Sequence, residues 1–405
     1  MKKAIQVLFI LLILLLIPEI ESSAEVSIRR GWLTQNGQTY FYKKGKKLTG
    51  LRKIEGHKYY FREKNGSMVK SRWVNINGDY YYFGKKGRMF FNRWITYKNR
   101  RYYVNQDGIR VTHLQTINRK LYAFTKKGIL RQNKWVKKNG LYYRTNEKGI
   151  VDNREGINTK DLSTATRILY ESPTLHLEIR KNRGYDCDYW TAHIKIQNPA
   201  QLRSGLSFDT YGGVREKTSE AVKRLNGIIG INGSAFQYST GIPGFDAVMI
   251  KNGHIYNHAY GTSYSLLAVS KSGILFTPKQ GLSAEDLIAA GVKDTYNFGP
   301  AIIVNGIVQP IIEPFGDTVS GKDPRSAIGM IRPGEYVLLV ADGRSLLSHG
   351  LNYYEMADIF QRLGCLYAYN LDGGGSATLT YRGVVLNNPS DGQERACGDF
   401  LYFTE

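Results

Sequence analysis

Three cysteines in 405 residues, Cys187, Cys365 and Cys397, are too few and too odd in number for a disulfide scaffold, so the fold must rest on apolar cores. One bridge with a spare thiol and three free thiols both fit, and no Cys-x-x-Cys or Cys/His spacing points to zinc. Long apolar runs are also missing. The longest, Ala4 to Ile17, has 14 residues, short of the roughly 20 that a membrane span needs. With Lys2 and Lys3 ahead of it and Ser22-Ser23-Ala24 behind, it reads as a secretory signal over 1–24, cleaved near Ala24; an uncleaved anchor is the alternative.

Acidic residues are scarce in one half only. Residues 25–150 hold 31 Lys and Arg against 6 Asp and Glu, a charge of +25, whereas 151–405 carry −3. A basic segment exported past a membrane implies an anionic wall polymer such as teichoic acid rather than nucleic acid, with a merely solvated basic face as the alternative.

The basic half is periodic. Glycines recur at Gly45, Gly66, Gly87, Gly108, Gly128 and Gly149, each after an aromatic cluster such as "KYYF" or "DYYYF", and each cluster follows one of Trp32, Leu51, Trp73, Trp94, Leu114 or Trp135. About six hairpins, each too small to stand alone, are expected to stack into an all-β solenoid over 25–152. Residues 153–165 are polar and read as a linker, ahead of a non-repeating domain over 166–405.

In that domain helices are expected at "TSEAVKRLNG", at "SAEDLIAAGV" with Ser283 as N-cap, and at "NYYEMADIFQRLG", where Glu355 stands three residues after Asn352 at capping-box spacing. Strands outnumber them, which predicts an α+β fold with a mixed sheet and packed helices. "YNLDGGGSATL" has no lysine after its glycines and is followed by an alternating strand, so it is neither a P-loop nor a nucleophile elbow. It reads as a strand-to-strand turn that lets a ligand approach bare amides beside Asp372.

Other strands end alike, "IIGIN" at Asn232-Gly233 and "YVLLVAD" at Asp342-Gly343-Arg344. If the three share a sheet and a direction, their carboxyl ends form one edge, where sheet enzymes keep their chemistry. A tight turn at Pro333-Gly334 would set Arg325 opposite Asp342, either as a structural ion pair or as an arginine held at the rim of a site. His349 reads as a loop histidine, and Cys365 and Cys397 as buried small residues.

The repeats resemble the cell-wall-binding, choline-binding or glucan-binding repeats of Gram-positive surface proteins. The second tryptophan expected in each unit is Tyr or Leu here, which weakens the case for choline. The ordered motifs "INGSAF", "IKNGHIY", "FGPAIIVNG", "PRSAIG", "VADGR", "NLDGGGSATL" and "NNPSDGQER" resemble the phosphodiester glycosidase family over 166–405. The resemblance implies hydrolysis of a sugar 1-phosphodiester at the C1–O bond. On it, Asp372 is the nucleophile or base, Asp342 the second acid or the orienter of Arg325, and Arg325 and Arg395 the phosphate clamp. Arg344, Gly233 and the Gly373, Gly374, Gly375 and Ser376 turn line the substrate, and Asn232 binds sugar hydroxyls. No cofactor is required, with a divalent cation such as calcium left open. Partners are a wall polymer and a sugar-phosphate substrate, with neither nucleic acid nor a stable membrane span after processing. Two rivals stand beside this: a metal-dependent phosphodiesterase using Asp342, Asp372 and Asp399, and a non-catalytic wall-binding protein.

Overall fold

A computed structural model describes residues 30–244, 247–258, 265–311 and 320–405, so the proposed signal segment lies outside the described residues. The chain forms two compact units, one up to Arg131 and one from Gln132 to Glu405.

Hairpins of the repeat pattern pair Arg30–Gln35 with Gln38–Lys43, Gly50–Ile54 with His57–Phe61, Arg72–Ile76 with Asp79–Phe83, Arg93–Tyr97 with Arg100–Val104, and His113–Ile117 with Lys120–Phe124. Two-residue turns such as Asn77-Gly78, both at positive φ, match the twist of the paired strands. The periodic glycine carries a second constraint. A Cβ at Gly87 would lie 2.4 Å from Met68 Sδ, and one at Gly108 would lie 2.3 Å from Met89 Cε. The second and third repeats thus seat Met68 and Met89 against the glycine turn of the next, and both glycines also stand at positive φ, where a side chain is strained.

The sixth hairpin, Trp135–Lys138 with Leu141–Arg144, belongs to the second unit and opens its largest sheet. The stretch expected to be a linker contains a strand, Glu155–Ile157, hydrogen-bonded to Leu141–Arg144 on one side and Arg167–Glu171 on the other. Its Gly156 packs under the Tyr143 ring and its Ile157 enters the main core, so a segment that looks polar in sequence is tied down by two residues.

Eleven strands make that sheet, and five more, ordered Leu202–Leu206, Asp399–Phe403, Ile229–Asn232, Leu379–Tyr381 and Val384–Val385, make a second. Pairing is antiparallel throughout both. The α+β expectation holds, except that the sheet expected to be mixed is antiparallel, and among the described residues the α-helices are few: Thr218–Arg224, Ala284–Ala289 and Tyr353–Arg362. Both predicted caps form. Ser283 and Asp286 make a capping box, as do Asn352 and Glu355, where Asn352 N donates to Glu355 Oε2 at 2.9 Å. Glu355 is a capping residue.

Two expectations about strand ends change. Glu335–Ala341 and Tyr367–Leu371 flank Arg325–Arg332 in the large sheet, so Asp342 and Asp372 do emerge at the same edge. Ile229–Asn232 lies in the second sheet. The Pro333-Gly334 turn does pair Arg332 with Glu335, but a β-bulge at Ile331 shifts the register, and Arg325 faces Ala341 instead of Asp342.

Candidate active site

Asp372 leaves the end of Tyr367–Leu371 and is caught at once by the second sheet. Its N–H donates to Gly233 O at 3.1 Å, and its carbonyl accepts from Asn232 Nδ2 at 2.7 Å. Asn232 is fully buried, and its Oδ1 accepts from Ser326 Oγ at 2.8 Å and Thr378 N at 3.2 Å. It therefore staples the two sheets at the site and does not bind sugar hydroxyls, a correction that follows from burial.

The three glycines answer to three different neighbours. A Cβ on Gly373 would lie 2.6 Å from Pro324 O, one on Gly374 3.0 Å from an Arg344 nitrogen, and one on Gly375 2.0 Å from Asp391 Oδ2 and 2.1 Å from an Arg395 nitrogen. Two guanidinium groups thus press directly onto the main chain beside Asp372. Gly374 N donates to Pro324 O at 2.9 Å and Ser376 N to Gly373 O at 3.1 Å, so these two amides hold the turn together and are not free to cradle an anion. The turn is a single 3₁₀ step over Gly374–Ser376.

Burial pushes the Asp372 carboxyl up to about 6, against the opposing pull of the nearby Ser376 hydroxyl, the Arg395 charge and the Gly373 amide. The residue retains partial surface exposure, and Ser376 Oγ is buried without a hydrogen bond of good geometry. A carboxyl so poised changes charge near neutrality. Cys397, behind it, is buried with its thiol held far above the ordinary range, and burial pushes Cys365 up to about 12. Cys187 is likewise buried, and all three thiols are free.

Each arginine has its own acid. Arg344 makes a two-point contact with Asp323, at 2.8 and 3.0 Å. Arg395 Nε and Nη2 both reach Asp391 Oδ2, at 3.0 and 2.6 Å. Around them stands Tyr238, 63% exposed, with the guanidinium carbons of Arg395 and Arg215 at 5.7 and 5.2 Å from its ring centre. Tyr238, Arg215, Asp323 and Asp391 carry no spacing signature in sequence; Asp391 lies inside a quoted motif, and the others are found only by packing.

The remaining residues take supporting positions. Arg325 is 2% exposed and donates to Leu351 O at 3.0 Å and Gly321 O at 2.9 Å; burial lowers its pKa. It is spent on main-chain carbonyls and is not presented as a phosphate clamp. Asp342, also buried and with its pKa raised for that reason, accepts from Asn388 N at 2.8 Å. Its contact is therefore with the loop that carries Asp391 and Arg395, which Glu394 fastens from the other side by accepting from Ser219 N at 2.7 Å. Asp399 is fully buried against Lys251 at 2.7 Å. Among the described residues no three His, Cys, Asp or Glu side chains converge as metal ligands would.

This geometry makes Gly375→Ala informative. The added methyl must displace the Arg395–Asp391 pair, so kcat/KM of the phosphodiester hydrolysis that the sequence motifs imply is expected to fall about 100-fold, a loss shared with Arg395→Ala. A double variant no worse than either single one is the expected coupling. Additive losses would mean that the glycine and the arginine act separately.

Residues 226–404 match the family profile described as phosphodiester glycosidase, and residues 29–73 and 67–109 match choline-binding repeat profiles. The SPbeta prophage-derived uncharacterized protein YomE of Bacillus subtilis (strain 168) is 30% identical over 191 residues, 46% of this chain and 29% of that protein. The human N-acetylglucosamine-1-phosphodiester alpha-N-acetylglucosaminidase is 42% identical over 77 residues, 19% of this chain and 15% of that protein. The chain thus spans less than a third of the length of these relatives. The catalytic domain of the zebrafish N-acetylglucosamine-1-phosphodiester alpha-N-acetylglucosaminidase shares the fold, with a TM-score of 0.50 at 21% identity over 58% of this chain and 85% of that one.

Proposed function

We propose that this chain, which joins a phosphodiester glycosidase domain to choline-binding-type repeats, hydrolyses a sugar 1-phosphodiester while held on a cell wall outside the membrane. The observation that carries the reading is the placement of one desolvated carboxyl, Asp372, in a glycine turn pressed by Arg344 and Arg395.

Cleavage of C1–O leaves positive charge on the sugar ring and negative charge on the departing phosphate. A phosphomonoester is a good leaving group, so the second carboxyl that ordinary glycosidases use as general acid has little work to do. Arginines at the phosphate stabilise the charge that develops there. Asp372, ionised above about 6, attacks the anomeric carbon or takes a proton from water. One water is consumed, and the products are the free sugar and a phosphomonoester. The aromatic, basic repeats hold the chain on its polymer, with teichoic acid the partner that the charge of residues 25–150 favours.

Incubation of the full chain with a panel of sugar 1-phosphodiesters in ¹⁸O water is the test. Label in the sugar is expected. Label in the phosphate would overturn C1–O cleavage in favour of a phosphodiesterase, and no product across the panel would leave the chain a binding protein.

A further inference from the structure

We propose that Arg215, which lies ahead of the residues matched by the family profile, supplies the uncompensated positive charge that takes the phosphate of the substrate, and that the Tyr238 ring holds its guanidinium in place. The assignment rests on the reading of the second unit as a hydrolase of sugar phosphodiesters, and names the arginine that meets the leaving group.

The two guanidinium groups at the glycine turn bring little net charge to it. Arg344 is held at two points by Asp323, and Arg395 at two points by Asp391, so each arrives as a neutral pair. Arg215 differs. Among the described residues its guanidinium donates to no acceptor and pairs with no carboxylate, and the acids nearest to it in sequence are spent elsewhere. Glu216 and Asp209 both bind Arg224, at 2.8 and 2.7 Å. Arg215 is held by rings instead, its Cζ lying 4.8 Å from the centre of the Phe236 ring and 5.2 Å from that of Tyr238. Such contact acts on the charge of the guanidinium and spends none of its N–H donors. Those donors lie in one plane as a fork that fits two phosphate oxygens.

The chain fixes Arg215 from both sides. Ahead of it, Gly213 N donates to Thr240 O at 2.6 Å, and a Cβ on Gly241 would lie 2.2 Å from Gly213 O and 3.3 Å from Arg215 Cγ. The loop that leads to Arg215 is therefore pressed against the turn that follows Tyr238. Behind it, Glu216 and Lys217 pair with Cys397 and Ala396, the two residues that follow Arg395. Arg395 Cζ lies 5.7 Å from the same Tyr238 ring, and a Cβ on Gly375 would meet the Arg395 guanidinium at 2.1 Å. One exposed ring is thus shared by the arginine that leans on the Asp372 turn and the arginine with charge to spare. The departing phosphate gains negative charge as C1–O breaks, and where the other guanidinium groups are already offset, Arg215 is the group that meets the gain.

The test is steady-state kinetics of the full chain on sugar 1-phosphodiesters, together with calorimetric titration of inorganic phosphate as the leaving-group probe. Arg215→Gln is expected to lower kcat/KM about 100-fold and to weaken phosphate binding about tenfold. Lys271→Gln, the same loss of charge at an exposed lysine, should change both by less than about twofold. Phosphate held on the basic repeats is common to every variant and drops out of the comparison. Arg215→Lys keeps the charge without the fork, so it should regain part of the phosphate binding and stay about tenfold below wild type in kcat/KM. Tyr238→Phe should match wild type and Tyr238→Ala lose about tenfold, because the ring and not the hydroxyl holds the guanidinium. Circular dichroism reports the folding of each variant. Phosphate binding and kcat/KM within about twofold of wild type in Arg215→Gln, or equal losses in Arg215→Gln and Arg215→Lys, would overturn the assignment. A wild type that turns over no sugar phosphodiester, yet loses its phosphate binding on Arg215→Gln, would remove the hydrolytic reading and keep the anion site.

Discussion

Asp372→Asn is expected to lower kcat on a sugar 1-phosphodiester by about three to four orders of magnitude with KM little changed, since it removes the carboxyl proposed to act at the anomeric carbon and leaves the proposed phosphate-facing arginines in place. The amide keeps the shape of the turn, because the Gly233 and Asn232 contacts are to the main chain of residue 372 and not to its carboxyl. The wild-type pH profile should share this origin. With Asp372 needed as carboxylate, kcat/KM falls about tenfold per pH unit below a midpoint near 6 and is flat above it.

Stability should move in the opposite sense to activity. The folded pKa of Asp372 lies above the ordinary 3.8, so the native state binds more protons between that value and about 6. Its contribution is therefore lost as pH rises through that window, and at pH 7 the buried charge weakens the fold. Asp372→Asn removes the penalty, up to about 3 kcal/mol before the discount for its partial exposure to water. Thermal denaturation at pH 4 and pH 7 checks the sign. A variant less stable than wild type at pH 7, or one with near-normal turnover, would show that Asp372 is structural.

What the sequence makes legible is local. Asn352 and Glu355, or Ser283 and Asp286, lie three residues apart on one chain segment, so their reciprocal capping needs no knowledge of the rest of the fold. The hairpins of the repeats are legible for the same reason, their turns and aromatic alternation recurring every 20 or 21 residues. The position of Asp372 at a strand end beside glycines is legible too.

Longer-range facts are not. One extra residue at Ile331 moves Arg325 from Asp342 to Ala341, and a bulge carries no residue signature there. Three arginines look equivalent in sequence, yet Arg325 is buried on carbonyl groups while Arg344 and Arg395 lean on the glycine turn. Burial, which separates them, depends on strands more than 20 residues away. The three glycines are likewise visible as a pattern, but their reason is not, because Pro324, Arg344 and Asp391 with Arg395 come from three other segments.

Lys251→Met is expected to destabilise the second unit by about 3–5 kcal/mol, and to reduce turnover in whatever fraction remains folded. Lys251 and Asp399 are both buried to within 2% of complete enclosure, 2.7 Å apart, with the ammonium also donating to Thr295 O at 2.7 Å and lying 3.3 Å from the Tyr296 ring centre. Burial lowers the Lys251 pKa, and Asp399 with its neighbour Asp294 opposes that shift. Without the ammonium, Asp399 is left charged in a place water does not reach. The catalytic consequence runs through hydrogen bonds. Asp399 accepts from Ser234 N at 2.7 Å and Ser234 Oγ at 2.9 Å, and a Cβ on Gly233 would lie 2.5 Å from its Oδ1. It thereby fixes the Asn232-Gly233-Ser234 strand end, whose carbonyl and amide are the two groups that hold the Asp372 main chain. A carboxylate that must reach an anomeric carbon tolerates little displacement. Denaturant titration with turnover measured at low temperature separates the two effects. Lys251→Met with Asp399→Asn should recover much of the stability, since no unpaired charge remains, while turnover stays low because the amide keeps an acceptor for Ser234 N but none for Ser234 Oγ. Full recovery of both would reduce the pair to a packing element without influence on Asp372, and a single variant as stable as wild type would mean that water reaches Asp399 after all.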